Sequence, residues 1–454
     1  MTIPRLFRRA SRRPDGAASL SRTPAGGLAR GFSAMRHRNY RIYWFGQIGS
    51  LVGAWMQSVA QPWLVLELGG SPLQLGAVLA LMFAPSMFLA PIGGVIADRV
   101  DKRRVLMIVN AVAMLQAALL FGLAASGLVE IWHVYLLALL AGFVNAVEMP
   151  VRQAFAAELV PADDLVNAIA LNSTSFNLSR VIGPAIAGVT IAFFGVAINF
   201  GINAVSYLSV LVGLWMLDGN SLRRIARPDR FPSIRASLAE GVRFAIATPS
   251  VLWPLVLLGG MATFAMNFQT LLPLFTRDAL GLDSGGYGAL FAAMGAGSLI
   301  GSLILAFTIS RRPMLGLIIG GGAIFLALEL ALGFVRSPLA AFPLVAGIGL
   351  ASMLMVNTIN VTIQNSVPDV LRGRVMSLYV TVFAGTAPIG GLLAGALAEA
   401  FGAAFAFSMG AALAVIVLTV VAWRLRSVRM PRSATSTGIQ EPSPRPRAIA
   451  SRAA

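Results

Sequence analysis

Long apolar segments separated by short polar ones dominate the chain. Each apolar segment spans roughly 20 residues or more, the length that a helix needs to cross a bilayer. The segments lie near 40–66, 73–97, 105–126, 132–156, 165–194, 196–217, 250–276, 285–309, 313–334, 339–365, 373–400 and 403–424. The pattern predicts an all-α integral membrane protein with twelve transmembrane helices.

The polar segments divide the chain into five predicted regions. These are a disordered cytoplasmic tail at 1–38, a six-helix bundle at 39–217, a cytoplasmic linker with a short surface helix at 218–249, a second six-helix bundle at 250–425 and a disordered cytoplasmic tail at 426–454. Both tails and the linker are rich in arginine, whereas the loops of the opposite side carry mainly acidic residues. Because basic residues accumulate on the cytoplasmic side, we predict a multi-pass inner (plasma) membrane protein with both termini in the cytoplasm.

The two halves of the chain repeat each other in parallel. At one constant offset, Gly183 aligns with Gly390 and Gly188 with Gly395. The other aligned pairs are Val160-Pro161 with Val367-Pro368, Phe194-Gly195 with Phe401-Gly402, and Phe200 with Phe407. Repeated six-helix units of this kind predict a binding site between the two halves.

Composition narrows the chemistry. Hydrophobic residues make up 57% of the chain and charged residues 12%, which excludes an ordinary soluble globular protein. Cysteine is absent and the single lysine, Lys102, does not follow a glycine loop, so neither a thiolate metal site nor a phosphate-binding loop is expected. We predict no enzyme activity, no cofactor and no metal. The net charge of +17 resides mostly in tails and loops, which indicates membrane orientation and not nucleic-acid binding.

Polar side chains recur at helical spacing within several apolar segments. On the first segment Gln57 and Gln61 share one face with Gln47 and Ser50. Similar stripes on other segments complete the set of substrate-cavity candidates, which is Gln57, Gln61, Asn145, Asn177, Arg180, Asn267, Asn357 and Asn360. The alternative is hydrogen bonding between helices, which contributes about 0.6 kcal/mol per contact in membranes. The recurrence on several helices favours a cavity for the set as a whole.

Three charged residues inside apolar segments are candidates for proton coupling. Arg180 lies about 15 residues into its segment, roughly 22 Å along a helix. It would contact an anionic substrate group or a nearby carboxylate, or else bond to backbone carbonyls. Glu148 lies one turn from Arg152 and would carry a proton, or else form a static ion pair with it.

The segment from Gly93 to Arg104 combines paired glycines, an aspartate and a basic cluster between two apolar segments. It resembles the signature loop of the major facilitator superfamily, with Asp101 in place of the more usual glycine. Longer stretches resemble the enterobactin-exporter-like and drug-efflux-like branch, over about 36–425. They are RNYRIYWFGQ from Arg38, MQSVAQPWLVLEL from Met56, NAIALNS from Asn167 and LRGRVMSLY from Leu371.

The resemblance implies two parallel-repeat six-helix bundles that rock between alternating-access states. It implies that Asp98 bonds near Arg372 to Arg374 and locks the outward-open state. The gating set so implied is Gly93, Gly94, Asp98, Arg99, Arg103, Arg104, Arg372 and Arg374. The exporters' fifth-helix motif, a kinked small-residue face that seals the outer half, corresponds to Ser179, Gly183, Pro184, Ala187 and Gly188, with Ser179 and Ala187 in place of glycines.

These observations predict a secondary active transporter. We expect it to export a small organic molecule, siderophore- or drug-like, by proton antiport, and to act as a monomer in the lipid bilayer. The alternatives are a proton-coupled symporter that imports a solute and a non-transporting membrane receptor. The charge of the substrate stays open, because Arg180 favours an anion such as a catecholate siderophore whereas Glu148 and the methionine-rich helices favour hydrophobic cations.

Overall fold

The computed structural model describes residues 32–223, 234–308 and 315–426, and of residues 90–99, 220, 234–238, 306–308 and 369–370 it describes the backbone only. The described chain is almost entirely helical, which confirms the predicted all-α membrane architecture. Eleven of its helical segments are long and apolar enough to cross a membrane.

The first half contains six long helices. They are α1 (Arg38–Glu67), α2 (Pro72–Arg99), α3 (Lys102–Ala125), α4 (Ile131–Leu159), α5 (Ala162–Phe194) and α6 (Ala197–Trp215). Of these, α1 is not among the eleven apolar spans. Its stripe of Gln47, Ser50, Gln57 and Gln61 lowers its hydropathy, and these four side chains are buried against other helices. With α1 as an additional pass, the helices are consistent with the twelve that the sequence predicts.

The second half starts with the short linker helix α7. The helices are α7 (Ile234–Ala247), α8 (Pro249–Phe264), α9 (Phe268–Leu274), α10 (Ser284–Thr308), α11 (Leu315–Leu332), α12 (Pro338–Ser366), α13 (Asp369–Gly385), α14 (Ala387–Phe401) and α15 (Ala403–Arg426). A π-helical turn, Phe275–Ala279, follows α9. The helix α7 lies in the described part of the predicted linker.

One pass of the second half is broken and another is bent, although the sequence predicts each as one continuous segment. The break separates α8 from α9, with Asn267 at the start of α9 in a non-helical conformation. The bend separates α13 from α14 at Thr386, which keeps helical backbone angles and hydrogen bonds to Val382 and Gly390. Discontinuous helices in transporters free backbone polar groups inside the protein, so the break before α9 is a candidate part of the transport site.

The predicted tail at 1–38 is structured at its end. Ser33–Arg36 form a short 3-10 helix, and the backbone amide of the buried Ala34 donates to Asn167 Oδ1 at 2.9 Å. Residues 1–31 and 427–454 lie outside the described ranges.

The helices form two bundles that meet along two helix pairs. In the first bundle α1 packs on α5 and α6, and in the second α12 packs on α10 and α11. Between the bundles, α5 packs on α10 and α2 packs on α14. We call the face where α1 begins and α15 ends the terminal face, and the opposite face the distal face.

Candidate transport site

Glycines bring α5 and α10 into backbone contact on the distal side of the bundle interface. A Cβ atom added at Gly288 would lie 2.5 Å from Gly188 Cα and 2.7 Å from the Pro184 carbonyl oxygen. One added at Gly295 would lie 2.7 Å from the Arg180 carbonyl oxygen. Only glycine permits such a close approach. This first seam therefore runs from Gly188 to the level of Arg180.

A second glycine seam joins α2 to α14. Gly76 lies against the backbone of Gly391, and a Cβ atom added at Gly395 would lie 2.6 Å from the Pro72 carbonyl oxygen. Gly188 and Gly395 are equivalent in the sequence repeat, and each contacts the opposite bundle. The two seams are therefore repeats of one another.

The other aligned glycine pair packs inside its own bundle. A Cβ atom at Gly183 would lie 2.5 Å from Trp55 Cβ on α1, and one at Gly390 would lie 2.6 Å from the Thr263 carbonyl oxygen on α8. The helices α1 and α8 each begin a bundle. Ser179 and Ala187 are buried on the same helix as Gly183. The fifth-helix motif therefore contacts α1 through Gly183 and α10 through Gly188.

Glu399 fastens the second seam at the distal face. Its carboxylate accepts hydrogen bonds from Ser71 Oγ at 2.8 Å and from the backbone amide of Leu73 at 3.0 Å. That amide belongs to the first turn of α2, where the helix dipole favours a negative charge. The contact links the two bundles outside the apolar seam.

Aromatic side chains from α1, α5 and α10 lie alongside the first seam, from its distal end to the level of Arg180. Trp63 stacks on Tyr287 with ring centroids 5.7 Å apart, and Tyr287 contacts Phe291 edge-on at 6.0 Å. Trp55 lies 6.4 Å from Phe291 and 5.6 Å from Phe176. These rings connect the two bundles and exclude water from the sealed distal half.

Arg180 lies beside this aromatic group. Its guanidinium carbon is 5.7 Å from the centroid of the Trp55 ring, within the range of a cation–π contact. The side chain is half-buried, and its Nε has no acceptor among the residues that the structure describes. A cation with an unused donor beside aromatic faces can bind a planar anion.

A small cavity lies between α1, α2 and α9, at the bundle interface. Its volume is about 30 Å³, and its lining is mostly apolar, with Ser58, Gln61 and Gln269 as the polar residues. The Nε2 of Gln61 is buried and has no acceptor among the described residues. A much larger cavity of about 630 Å³ opens at the terminal face, lined by His37, Glu158 and Arg223 among others, away from the interface.

The other predicted cavity residues occupy different environments. Gln57 donates to Gln116 Oε1 at 3.2 Å and accepts from Asn203 at 2.6 Å, so it belongs to a hydrogen-bond network inside the first bundle. Asn177 donates to the Ser173 carbonyl and Asn267 to the Thr263 carbonyl. Asn360 accepts from Gln364 and is also hydrogen-bonded to Tyr379 on α13. Asn145 is exposed and Asn357 is half-exposed.

Glu148 and Arg152 form an ion pair on α4. Arg152 Nη1 lies 3.3 Å from Glu148 Oε1, and the Glu148 residue is 9% exposed. A static ion pair is one of the two alternatives that the sequence leaves open for these residues. Proton carriage by Glu148 stays a prediction.

The described part of the gating set is held by contacts at the terminal face. Arg103 donates to the carbonyls of Leu214 and Trp215, at 2.8 and 3.0 Å, and Arg104 pairs with Asp101 at 3.3 Å. Arg374 pairs with Glu240 of the linker helix α7, a partner that the sequence pattern does not indicate. The surroundings of Gly93, Gly94, Asp98 and Arg99 lie outside the described side chains, so the predicted bond from Asp98 to the region of Arg372 and Arg374 stays a prediction.

Arg103→Ala should destabilise the protein because the last carbonyls of α6 would lose their donor. Charge-assisted bonds to a helix C-terminus at a half-exposed site contribute about 1 kcal/mol. We expect a lower apparent midpoint of thermal unfolding in detergent. The matched control is Arg104→Ala, because that side chain is 83% exposed and pairs only within its own helix turn. Equal midpoints for the two variants would contradict the capping role.

Comparison with known proteins decides the family. A family model described as transmembrane secretion effector matches residues 29–446. The chain belongs to the major facilitator superfamily. It is 28% identical over 412 residues to the enterobactin exporter EntS of Escherichia coli, covering 88% of this chain and 96% of the relative. It is 26% identical over 395 residues to the staphyloferrin A transporter of Staphylococcus aureus, covering 86% and 96%.

Solved structures of facilitators share the fold. The nucleoside transporter NupG has a TM-score of 0.71 at 13% identity, over 85% of this chain and 98% of that one. A bacterial homologue of the iron transporter ferroportin has a TM-score of 0.63 at 17% identity, over 85% and 98%. This facilitator is therefore a multi-pass membrane transporter of small molecules and not an enzyme.

Proposed function

We propose that this facilitator exports an anionic, siderophore-like organic molecule across the inner membrane by proton antiport. The observation that carries the proposal is Arg180, a half-buried cation beside Trp55 at the inner end of the distal seam. A ligand that enters between the bundles would reach the Arg180 guanidinium before it reaches the sealed distal half. The names of the two relatives, an enterobactin exporter and a staphyloferrin A transporter, support the substrate class.

The surroundings of Arg180 favour an anion over a cation. No carboxylate pairs with Arg180 among the described residues, so its positive charge is available to a ligand. The faces of Trp55 and Phe176 add a surface on which a planar ring can stack. A carboxylate or catecholate on an aromatic or flat scaffold would satisfy both features.

In the proposed cycle, the terminal face is cytoplasmic and the distal face is outside. The two glycine seams close the outer side while substrate enters from the cytoplasm, and they separate to release it. Closure of the cytoplasmic side would then use the predicted contact of Asp98 with the start of α13, near Arg372 and Arg374. Because Arg374 pairs with Glu240 in the outer-sealed conformation, this exchange of partners would accompany each half-cycle.

A proton gradient is a sufficient energy source for this cycle. One proton that moves down a potential of roughly 100 mV releases about 2.3 kcal/mol. At about 1.4 kcal/mol per factor of ten, that energy sustains a roughly fiftyfold substrate gradient. Glu148, paired with Arg152 in the first bundle, is one carboxylate that could take part.

The test is transport in membrane vesicles that contain the full chain, with enterobactin as the first probe and tetraphenylphosphonium as the cationic alternative. Inside-out vesicles should accumulate enterobactin when a proton gradient is applied and lose it when a protonophore is added. Accumulation that survives the protonophore would contradict proton antiport. Uptake only by right-side-out vesicles would indicate the importing alternative, and preference for the cation would contradict the substrate class.

A further inference from the structure

Glu329 is a buried carboxyl group that the proposed transport cycle has not used. It lies on α11, three residues before the helix ends at Leu332, on the distal side of the second bundle. The residue is 1% exposed, and neither carboxyl oxygen has a hydrogen-bond partner among the described residues. A group so placed is uncommon because a buried polar atom without a partner costs free energy.

The neighbouring turns of α11 contact an apolar, largely aromatic layer. One turn before Glu329, the ring of Phe325 lies 6.2 Å from Phe268 on α9, and Phe268 lies 5.4 Å from Phe407 on α15. One turn after it, a Cβ atom at Gly333 would lie 2.7 Å from the Ala404 carbonyl oxygen of α15. Residues one turn apart share a helix face. The Glu329 carboxyl therefore lies between α11, α15 and α9.

No cation is available in this layer among the described residues. Neither α9 nor α12 contains an ionisable side chain, and α15 contains Arg424 and Arg426 only in its last turn, at the terminal face. At the distal end Arg277 pairs with Asp278, Glu399 bonds to α2, and Arg336 donates to the carbonyls of Gly333 and Val335. An ionised carboxylate without a partner is very costly at such a site. The sealed conformation therefore accommodates the neutral acid.

The broken pass connects Glu329 to the bundle interface. The helix α9 has seven residues and follows the break at Asn267. Its first residue, Phe268, packs toward the layer of Glu329, and the next residue, Gln269, lines the small cavity shared with α1 and α2. A change of charge at Glu329 would draw water into the layer and displace Phe268. The displacement would move Gln269 against the first bundle.

We propose that Glu329 is a proton-binding site whose protonation, from the distal side, stabilises the sealed distal half through α9. The inference rests on the proposed proton antiport and names a residue through which the proton acts. In the reaction the carboxylate binds one proton and becomes the neutral acid, with no other bond made or broken. At low pH the neutral acid favours the sealed conformation, and as the pH rises ionisation favours the opened, hydrated one.

The test measures the distal opening without any substrate. Because the chain contains no cysteine, spin labels can be attached at Leu128→Cys and Leu339→Cys, which are exposed distal positions of the two bundles. Distances in lipid nanodiscs are followed from mildly acid to mildly alkaline pH. For one proton, the ratio of open to sealed molecules should change by up to about tenfold per pH unit.

The variant Glu329→Gln should hold the low-pH distance distribution at every pH, since the amide is an uncharged isostere of the acid. The matched control is Asp278→Asn, a water-exposed carboxylate of the same bundle and side, which should titrate as the parent does. If Glu329→Gln keeps the parent's pH response, the inference is overturned while proton coupling stands. If the parent itself shows no pH response, the inference is overturned as well, and the vesicle experiment with the protonophore decides the proton coupling of the proposed function separately.

Infrared spectroscopy gives an independent measurement. At neutral pH the parent should show the C=O stretching band of a neutral carboxylic acid, and Glu329→Gln should lack that component. Glu329→Gln should unfold at an equal or higher temperature at neutral pH, because the parent must take up a proton to bury this carboxyl group and the amide need not. An unchanged carboxylic acid band in a folded Glu329→Gln protein would overturn the assignment of the proton to this residue.

Discussion

Gly288→Ala should shift this transporter toward the conformation that is open on the distal side and slow transport. The added methyl group would lie 2.5 Å from Gly188 Cα and 2.7 Å from Gly188 N and the Pro184 carbonyl oxygen, all backbone atoms that cannot rotate away. Overpacking of this kind costs about 1–3 kcal/mol. The ratio of sealed to open molecules should therefore fall roughly fivefold to a hundredfold. The labels at Leu128→Cys and Leu339→Cys report the change directly.

Gly320→Ala is the matched control for this experiment. Gly320 also lies within an apolar helix of the second bundle, but no heavy atom beyond its own helix lies within 4 Å of an added Cβ atom. We expect the parent's distance distribution and the parent's transport rate. If Gly288→Ala behaves like Gly320→Ala, the first seam does not control the distal opening.

Arg180→Ala should weaken binding of anionic aromatic ligands. The variant loses a guanidinium donor that no described carboxylate engages, and charge-assisted hydrogen bonds contribute about 1.5–3 kcal/mol. The dissociation constant of 2,3-dihydroxybenzoate should therefore rise about tenfold to a hundredfold. Calorimetry on the reconstituted protein measures it, with tetraphenylphosphonium as the cationic comparison.

Two further results separate substrate recognition from packing. Arg180→Lys keeps the charge but loses the planar fork, so we expect an intermediate loss of affinity. Arg180→Ala should leave binding of the cation unchanged or stronger. Equal losses for both ligands would instead indicate that Arg180 supports the contact with Trp55 and the fold around it.

The fold was predictable because its signals are long and repetitive. Apolar segments of membrane-spanning length define the helices, and the aligned glycines identify the repeat. The structure adds a division of roles within that repeat. Gly183 and Gly390 pack in their own bundles, whereas Gly188 and Gly395 contact the other one. Sequence spacing identifies equivalent positions but not the helix that each position meets.

The site was less predictable because partners across the interface leave no pattern in the sequence. The glycines of α10 that meet α5 are indistinguishable in sequence from the many other small residues of a membrane helix. Gln57 belonged to a correct stripe, yet its amide is engaged by Gln116 and Asn203. The sequence around Asn267 predicts one continuous apolar helix. The helix α8 nevertheless ends before Asn267, because the backbone hydrogen-bond geometry changes there and the composition does not indicate that change.

The polarity of α1 has a consequence for how this protein is made. Its Gln57 finds its partners on α3 and α6, which leave the ribosome well after α1 does. Until then its amides would face lipid without partners, a state that disfavours stable insertion of a single helix. We therefore expect the first helix to stay at the insertion machinery until its later neighbours arrive, so that the helices of the first bundle enter the bilayer together.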